Sequence, residues 1–285
     1  MIFSVFADLS KSEAKNIALN LLNILNNESC SVYFSSEYQK ELAGENCKFA
    51  EEDRLYDICD IAVAVGGDGT TMKVARNAAV HGKSALGING GRLGFLSTIE
   101  KNELNLLKCV VSGDYSVDDR IMIKAEVFEN GELKSTYHCL NDAVLSRGDF
   151  SRLIDFDVQS DGRELLRVRA DGVIFSTPTG STAYSLAAGG PVLSPDLDCF
   201  VITSICPHSL MDRSIVVNSK NSLKISVCSD VSNDAVLTCD GEKPVLISND
   251  SYVKISLSEY KAHLIKIKPD NFYEIVKKKI VERRI

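Results

Sequence analysis

The feature that most constrains the fold is a strand that runs directly into a glycine turn and out into a helix. Ile61-Ala62-Val63-Ala64-Val65 is wholly apolar, and Gly66-Gly67-Asp68-Gly69-Thr70 follows at once. A helical pattern then runs from Thr71 to Val80, with Gly82 able to stop it. Three glycines let the backbone turn tightly and come within contact distance of a ligand. Successive amides in such a turn, with the free N–H groups that open the helix, form an anion cradle. Asp68 is the odd member, a carboxylate where phosphate is expected. It holds a metal, accepts a proton or only caps the helix.

The rest of the N-terminal half repeats this grammar. Residues 2–7 read as a strand, and Ser10-Lys11-Ser12-Glu13 offers a capping box. Ala14, Ile17, Ala18, Leu21, Leu22 and Leu25 then fall at helical spacing. Ser31–Phe34 is a second strand, while residues 35–60 are polar and carry no clear period. Ser84–Ile88 is a strand entering a second glycine-rich turn, Asn89-Gly90-Gly91-Arg92-Leu93-Gly94-Phe95. Strands alternating with helices indicate a parallel α/β domain whose ligands bind at the carboxyl ends of the strands. Both glycine turns sit at such ends and so face one site.

After a helical connector at 100–110 the texture changes. From Ile121 apolar and polar residues alternate, and Asn130-Gly131 and Asp161-Gly162 are hairpin turns. Further strands are predicted near 199–205, 214–218, 222–228, 235–239, 244–248, 252–257 and 262–267. The expected fold is an α/β N-terminal domain, 1–99 with 268–285, and an all-β domain, 100–267, of two packed sheets. An amphipathic helix over 271–284, with Phe272, Ile275, Val276 and Ile280 on one face, returns to the first domain.

Composition narrows the function. The formal charge of −7 argues against nucleic acid as a partner, though a local basic pocket for phosphate remains open. Nine cysteines are scattered singly with no C-x-x-C pair, which reads as reduced thiols of a cytoplasmic protein. The four histidines have no ligand spacing, so no protein-held metal is predicted. No stretch approaches the roughly 18 apolar residues of a membrane span, and the N-terminus has no basic region of a signal peptide. Gly82-Lys83-Ser84 resembles the tail of a P-loop, but Asn77 stands where its first glycine belongs.

Two further stretches carry chemistry. Arg169 to Ser185 takes a strand, 173–175, into a loop of hydroxyl residues and then a short helix, 182–188. Such a loop suits a polar ligand, or is only a Ser/Thr-rich surface loop; Tyr184 can stack on a flat base. Asn141-Asp142 interrupts an apolar strand and either faces a cleft, reading an adenine edge and a ribose diol, or marks a strand end.

Together these residues resemble the NAD kinase family over about residues 60–245. Gly66–Thr70 looks like its catalytic signature, Gly87–Leu96 its second turn, and Asp171–Tyr184 its longest signature. The resemblance implies transfer of the ATP γ-phosphoryl group to the 2′-hydroxyl of the adenosine ribose of NAD, assisted by Mg²⁺. It makes Asp68 the base, Gly66, Gly67, Gly69 and Thr70 the phosphate turn, and Lys73 a phosphate-neutralising cation. It assigns Asn141 and Asp142 to the adenosine part and Asp171 to the nicotinamide side. Thr182, Ala183, Tyr184, Ser185 and Ala187 line the dinucleotide pocket with Phe95 nearby, and Arg152 and Arg169 make dinucleotide contacts. A homodimer or homotetramer is implied, with no membrane partner. Three departures stand out: Asp142 replaces the usual Glu, Glu242 the usual Gln and Ser214 the usual Pro. Glu242 thereby adds negative charge near the substrate. A diacylglycerol-type lipid kinase sharing the GGDGT turn, or a non-catalytic dinucleotide sensor, is the alternative.

Overall fold

The computed structural model describes residues 1–91, 94–148, 153–209, 212–228, 235–248, 250–269 and 272–281, with residues 280 and 281 as backbone only. The chain divides into two compact units, Met1–Asp119 with Ala262–Ile285, and Arg120–Lys261.

In the first unit, strands β1 (Ile2–Ala7), β2 (Ser31–Ser35), β3 (Lys48–Ala50), β4 (Ile61–Gly66) and β5 (Ser84–Asn89) lie side by side in the order β3-β2-β1-β4-β5, all parallel. A short β6 (Ile99–Glu100) pairs with the carboxyl end of β5. Helices α1 (Ser12–Asn27), α2 (Glu52–Ile58), α3 (Asp68–Val80) and α4 (Leu107–Ser112) complete it. The unreadable stretch 35–60 thus holds β3, α2 and a single 3₁₀ turn, Ser36–Tyr38. Ile61–Val65 is buried throughout, as a strand covered on both faces must be. The apolar face of α1 is buried at all six expected positions, and each of its leucines contributes about 1.5–3 kcal/mol by leaving water. The expected capping box is not used. Lys11 is the N-cap without a side-chain bond, while Ser10 Oγ donates to Asp8 Oδ1.

The unit boundaries fall at 119/120 and 261/262, not at 99/100 and 267/268. The reason is packing: Leu107 and Val110 of α4, and Ile265, are buried in the first unit's core.

The second unit is built from β7 (Ser116–Glu129), β8 (Glu132–Cys139), β9 (Asp142–Arg147), β10 (Ile154–Ser160), β11 (Arg163–Ala170), β12 (Gly172–Ser176), β13 (Cys199–Ile205), β14 (Ile215–Asn218), β15 (Leu223–Val227), β16 (Ala235–Cys239), β17 (Val245–Ile247) and β18 (Ser251–Lys266). Strands β7 and β18 each run from one unit into the other. The two stretches predicted near 252–257 and 262–267 are this one long strand. One sheet has the order β11-β10-β15-β18-β7-β8 and the other β14-β13-β12-β9-β16-β17. Phe156, Ile225 and Val253 of the first meet Val173, Phe175, Phe200 and Leu237 of the second in one core. Asn130-Gly131 and Asp161-Gly162 both adopt positive φ at their two positions, as two-residue hairpins require.

The C-terminal segment belongs to the first unit. It is α-helical over Phe272–Val276 (α6) and π-helical over Lys277–Val281; the ends of the expected 271–284 helix lie outside the described residues.

Candidate active site

In the first unit the chain leaves β1 for β2 on one side, while β4 lies on its other side. Open α/β sheets bind ligands at the carboxyl ends of strands where the order reverses in this way. A cavity of about 460 Å³ lies at that point, lined by Asp8 after β1, Gly66-Gly67-Asp68 after β4 and Asn89-Gly90-Gly91 after β5. The Gly90 amide donates to Gly66 O (3.2 Å), tying the two glycine turns together. Buried Asn89 fixes the second turn, its Oδ1 accepting from Gly91 N (3.0 Å) and its Nδ2 donating to Glu100 (2.8 Å).

None of the glycines in the first turn takes a positive φ, so left-handed backbone does not explain them. A Cβ on Gly66 would lie 2.6 Å from Thr70 Oγ1, so that position is reserved for close approach of the helix. A Cβ on Gly67 or Gly69 would meet nothing within 4 Å. Both are exposed and leave their amides open to a ligand.

Asp68 opens α3 behind the N-cap Gly67. Its Oδ2 accepts from Phe95 N (3.0 Å) and its Oδ1 from Leu96 N (3.1 Å). Gly94 is the close contact that permits this, because a Cβ there would sit 2.3 Å from Asp68 Oδ1. A third donor comes from the far end of the chain: Lys279 Nζ lies 2.9 Å from Oδ2 and 4.2 Å over the Phe95 ring. Phe95 therefore serves Asp68 through its amide and Lys279 through its ring.

Lys73 is turned elsewhere. Five residues along a helix rotate a side chain about 140° from the starting face. Lys73 accordingly pairs with Glu52 (3.7 Å) and lines an adjoining cavity of about 260 Å³ with Tyr38 and Tyr56, which shares Asp8 and Thr70 with the first. Among the described residues, the cations lining the Asp68 cavity are Lys11, paired with Asp8 (3.0 Å), and Lys279. Neither is among the expected site residues, and no local pattern in the sequence marks them.

In the second unit a cavity of about 380 Å³ gathers Asn141, Asp142, Ala183, Tyr184 and Asp240. Asn141-Asp142 does not interrupt a strand; it lies where the chain crosses from β8 in one sheet to β9 in the other. The free amides of that crossing go to Asp240, whose carboxylate accepts from Leu140 N (2.8 Å), Asn141 N (2.8 Å) and Asp142 N (3.1 Å). The hydroxyl loop is laced to the same crossing: Thr177 N donates to Asn141 O (2.9 Å) and Thr177 Oγ1 to Leu140 O (2.6 Å). Tyr184, 47% exposed, offers its ring to this cavity.

Several expected residues are not on this cavity's lining. Ser185 is buried and bonds Thr203 (3.3 Å), so it anchors the loop to β13. Thr182 Oγ1 donates to Thr179 O, and Ala187 ends a four-residue helix, α5 (Tyr184–Ala187), preceded by a 3₁₀ turn at Gly180–Thr182, where one helix was expected. Arg169 is exposed and forms a two-point pair with Asp155 (2.9 and 2.6 Å). Asp171 pairs with Arg147 Nε (3.1 Å). Glu242 lines a different cavity, with Tyr137 and Cys239, so the extra negative charge beside Asp142 comes from Asp240. Arg152 lies outside the described residues. Among the described residues no three His, Cys, Asp or Glu side chains converge to hold a metal, and no helix is long and apolar enough to cross a membrane.

Burial, reinforced by the Asp240 carboxylate, pushes the Asp142 carboxyl up to about 7. The folded protein keeps that proton well above 3.8, where an unburied carboxyl releases it. Its contribution to stability is complete below that lower value and is lost as pH rises through about 7. Asp142→Asn removes the slope. Melting curves of both proteins at pH 5 and pH 8 should move by on the order of 5 °C in the variant's favour at the higher pH. Parallel curves would sink this account of Asp142.

A carboxylate at the head of a helix, among open glycine amides at the ends of parallel strands, defines a phosphotransferase of the glycine-turn kind. Residues 3–115 match the family model described as the ATP-NAD kinase N-terminal domain, and residues 140–267 the ATP-NAD kinase C-terminal domain. The chain belongs to the NAD kinase family. It is 32% identical to an NAD kinase of Natranaerobius thermophilus over 96% of this chain and 95% of the relative. It is 35% identical to one from Geotalea daltonii over 97% of both. Its fold is that of a yeast NADH kinase solved with NADH, at a TM-score of 0.88 and 22% identity over 99% of this chain and 87% of the other. An Archaeoglobus fulgidus NAD kinase solved with ATP matches at a TM-score of 0.74 and 24% identity, over 100% and 99%.

Proposed function

We propose that this chain is an NAD kinase that moves the γ-phosphoryl group of ATP to the 2′-hydroxyl of the adenosine ribose of NAD, releasing NADP and ADP. Its family membership supports the reading, and the observation that carries it is Asp68, held in the phosphate cavity by two backbone amides. Phosphoryl transfer needs positioning and charge neutralisation more than covalent chemistry. A secondary hydroxyl is a poor nucleophile, and a carboxylate base beside it contributes roughly 10²–10⁴-fold. In the proposed step Asp68 takes the hydroxyl proton, the oxygen bonds to the γ-phosphorus, and the bond to the β-phosphate oxygen breaks.

The open amides of Gly67 and Gly69 receive phosphate oxygens. Asn141 and Asp142 hold the adenosine, and Tyr184 stacks on a flat ring. Mg²⁺ in nucleotide sites is bound through one or two carboxylates and the substrate's phosphates, so the ion would arrive with ATP. Asp68 and Asp8, which line the phosphate cavity, would supply the carboxylate. We assign the enzyme to the cytoplasm, which suits nine free thiols, and to a homodimer or homotetramer. The lipid-kinase alternative shares only the glycine turn, whereas the family match here continues through residue 267.

Purified protein given ATP, NAD and Mg²⁺ should form NADP, followed by a dehydrogenase-coupled assay. A protein that binds NAD but forms no NADP would be the non-catalytic sensor instead.

A further inference from the structure

Lys277, Lys278 and Lys279 are consecutive in the C-terminal segment, yet only the third is turned inward. Its side chain is 16% exposed and lines the Asp68 cavity. Burying an ammonium to that degree is costly unless it is paired, and here the pairing is specific. Nζ lies 2.9 Å from Asp68 Oδ2 and 4.2 Å from the centre of the Phe95 ring. The ring face attracts the cation, and the carboxylate supplies its counter-charge.

An ammonium has three N–H donors and no acceptor. One is spent on Asp68, which leaves donors for a phosphate oxygen arriving in the same cavity. The other lysine of the cavity, Lys11, sits on Asp8, the ligand-side end of β1. Among the described residues, Lys279 is thus the cation in contact with the carboxylate at the point of transfer. It also offsets the repulsion between that carboxylate and an incoming phosphate.

We propose that Lys279 is a further catalytic residue of the transfer. Anchored by Asp68 and Phe95, its ammonium binds the γ-phosphoryl group and neutralises the negative charge on its equatorial oxygens. The bond to ADP breaks meanwhile, and its electron pair leaves with ADP. This rests on the reading of Asp68 as the base. The C-terminal segment then belongs to the active site, and no motif around it announces the role.

The test compares Lys279→Ala, Lys279→Gln and Lys279→Arg with Lys278→Ala and Asp68→Asn, measuring kcat, KM for ATP and KM for NAD. Loss of a single charged donor at a transfer site should lower kcat by about 10²–10³-fold in Lys279→Ala, with KM for NAD within threefold of the parent. Lys279→Arg should recover at least tenfold over Lys279→Gln, because charge rather than length is required, and exposed Lys278→Ala should match the parent. A merely structural role would lower the melting temperature and be rescued equally by Gln and Arg. If Asp68→Asn collapses while Lys279→Ala keeps kcat within threefold, this inference alone falls. If the parent makes NADP and Asp68→Asn keeps its rate, the base reading falls and takes the inference with it.

Discussion

Asp68→Asn should lower kcat for NADP formation by roughly 10³-fold while NAD affinity stays within a few-fold of the parent. The substitution keeps the volume and removes the carboxylate proposed to take the hydroxyl proton. It also withdraws the counter-charge of Lys279, which lies 2.9 Å away. Because an amide offers only one oxygen, either Phe95 N or Leu96 N would face an NH₂ group instead of an acceptor. That local conflict should cost about 1–3 kcal/mol of stability, well short of unfolding a chain of this size. Steady-state kinetics beside calorimetric titration with NAD separates the two effects. Equal losses in rate and in NAD binding would mean that Asp68 only holds the turn together.

Gly180→Ala should be the most damaging single methyl in the second unit. The added Cβ would stand 2.1 Å from Asn141 O, 2.5 Å from its carbonyl carbon and 2.7 Å from its Cα. All three are backbone atoms, so no side chain can swing away. The backbone cannot yield cheaply either, because Asn141 O already accepts from Thr177 N, and Asn141 N donates to Asp240. Relief requires the hydroxyl loop to part from the β8–β9 crossing. The expected loss is about 3 kcal/mol or more, together with most of the NAD affinity. Gly69→Ala is the control for folding, since its Cβ meets nothing within 4 Å. A Gly180→Ala protein that melts within 2 °C of the parent, roughly the shift of 1 kcal/mol or less, would refute this description of the pocket wall.

How much of the site was legible depended on how local each contact is. The glycine turn could be found because strand, turn and helix are contiguous and their periods differ. The Asn141-Asp142 pair could be found as polar residues out of place, but not as a crossing between sheets, because the partner that holds it, Asp240, is 98 residues downstream. Nearness in sequence points Lys73 to the phosphate, whereas helix rotation pairs it with Glu52. Spacing alone groups Ser185 with the ligand-facing hydroxyls, whereas burial against Thr203 decides its direction.

By itself, the sequence determined the class of each half, the direction of the parallel strands, the hairpins and the position of Asp68. Each follows from periodicity and turn chemistry within about 20 residues. Only the tertiary structure decided what surrounds Asp68: amides from Phe95 and Leu96 and an ammonium from Lys279, a hydrogen bond spanning 211 positions. It also chose which of three adjacent lysines is buried. Side-chain direction there is set by packing against a ring and a carboxylate far away in the chain, and no local pattern encodes it.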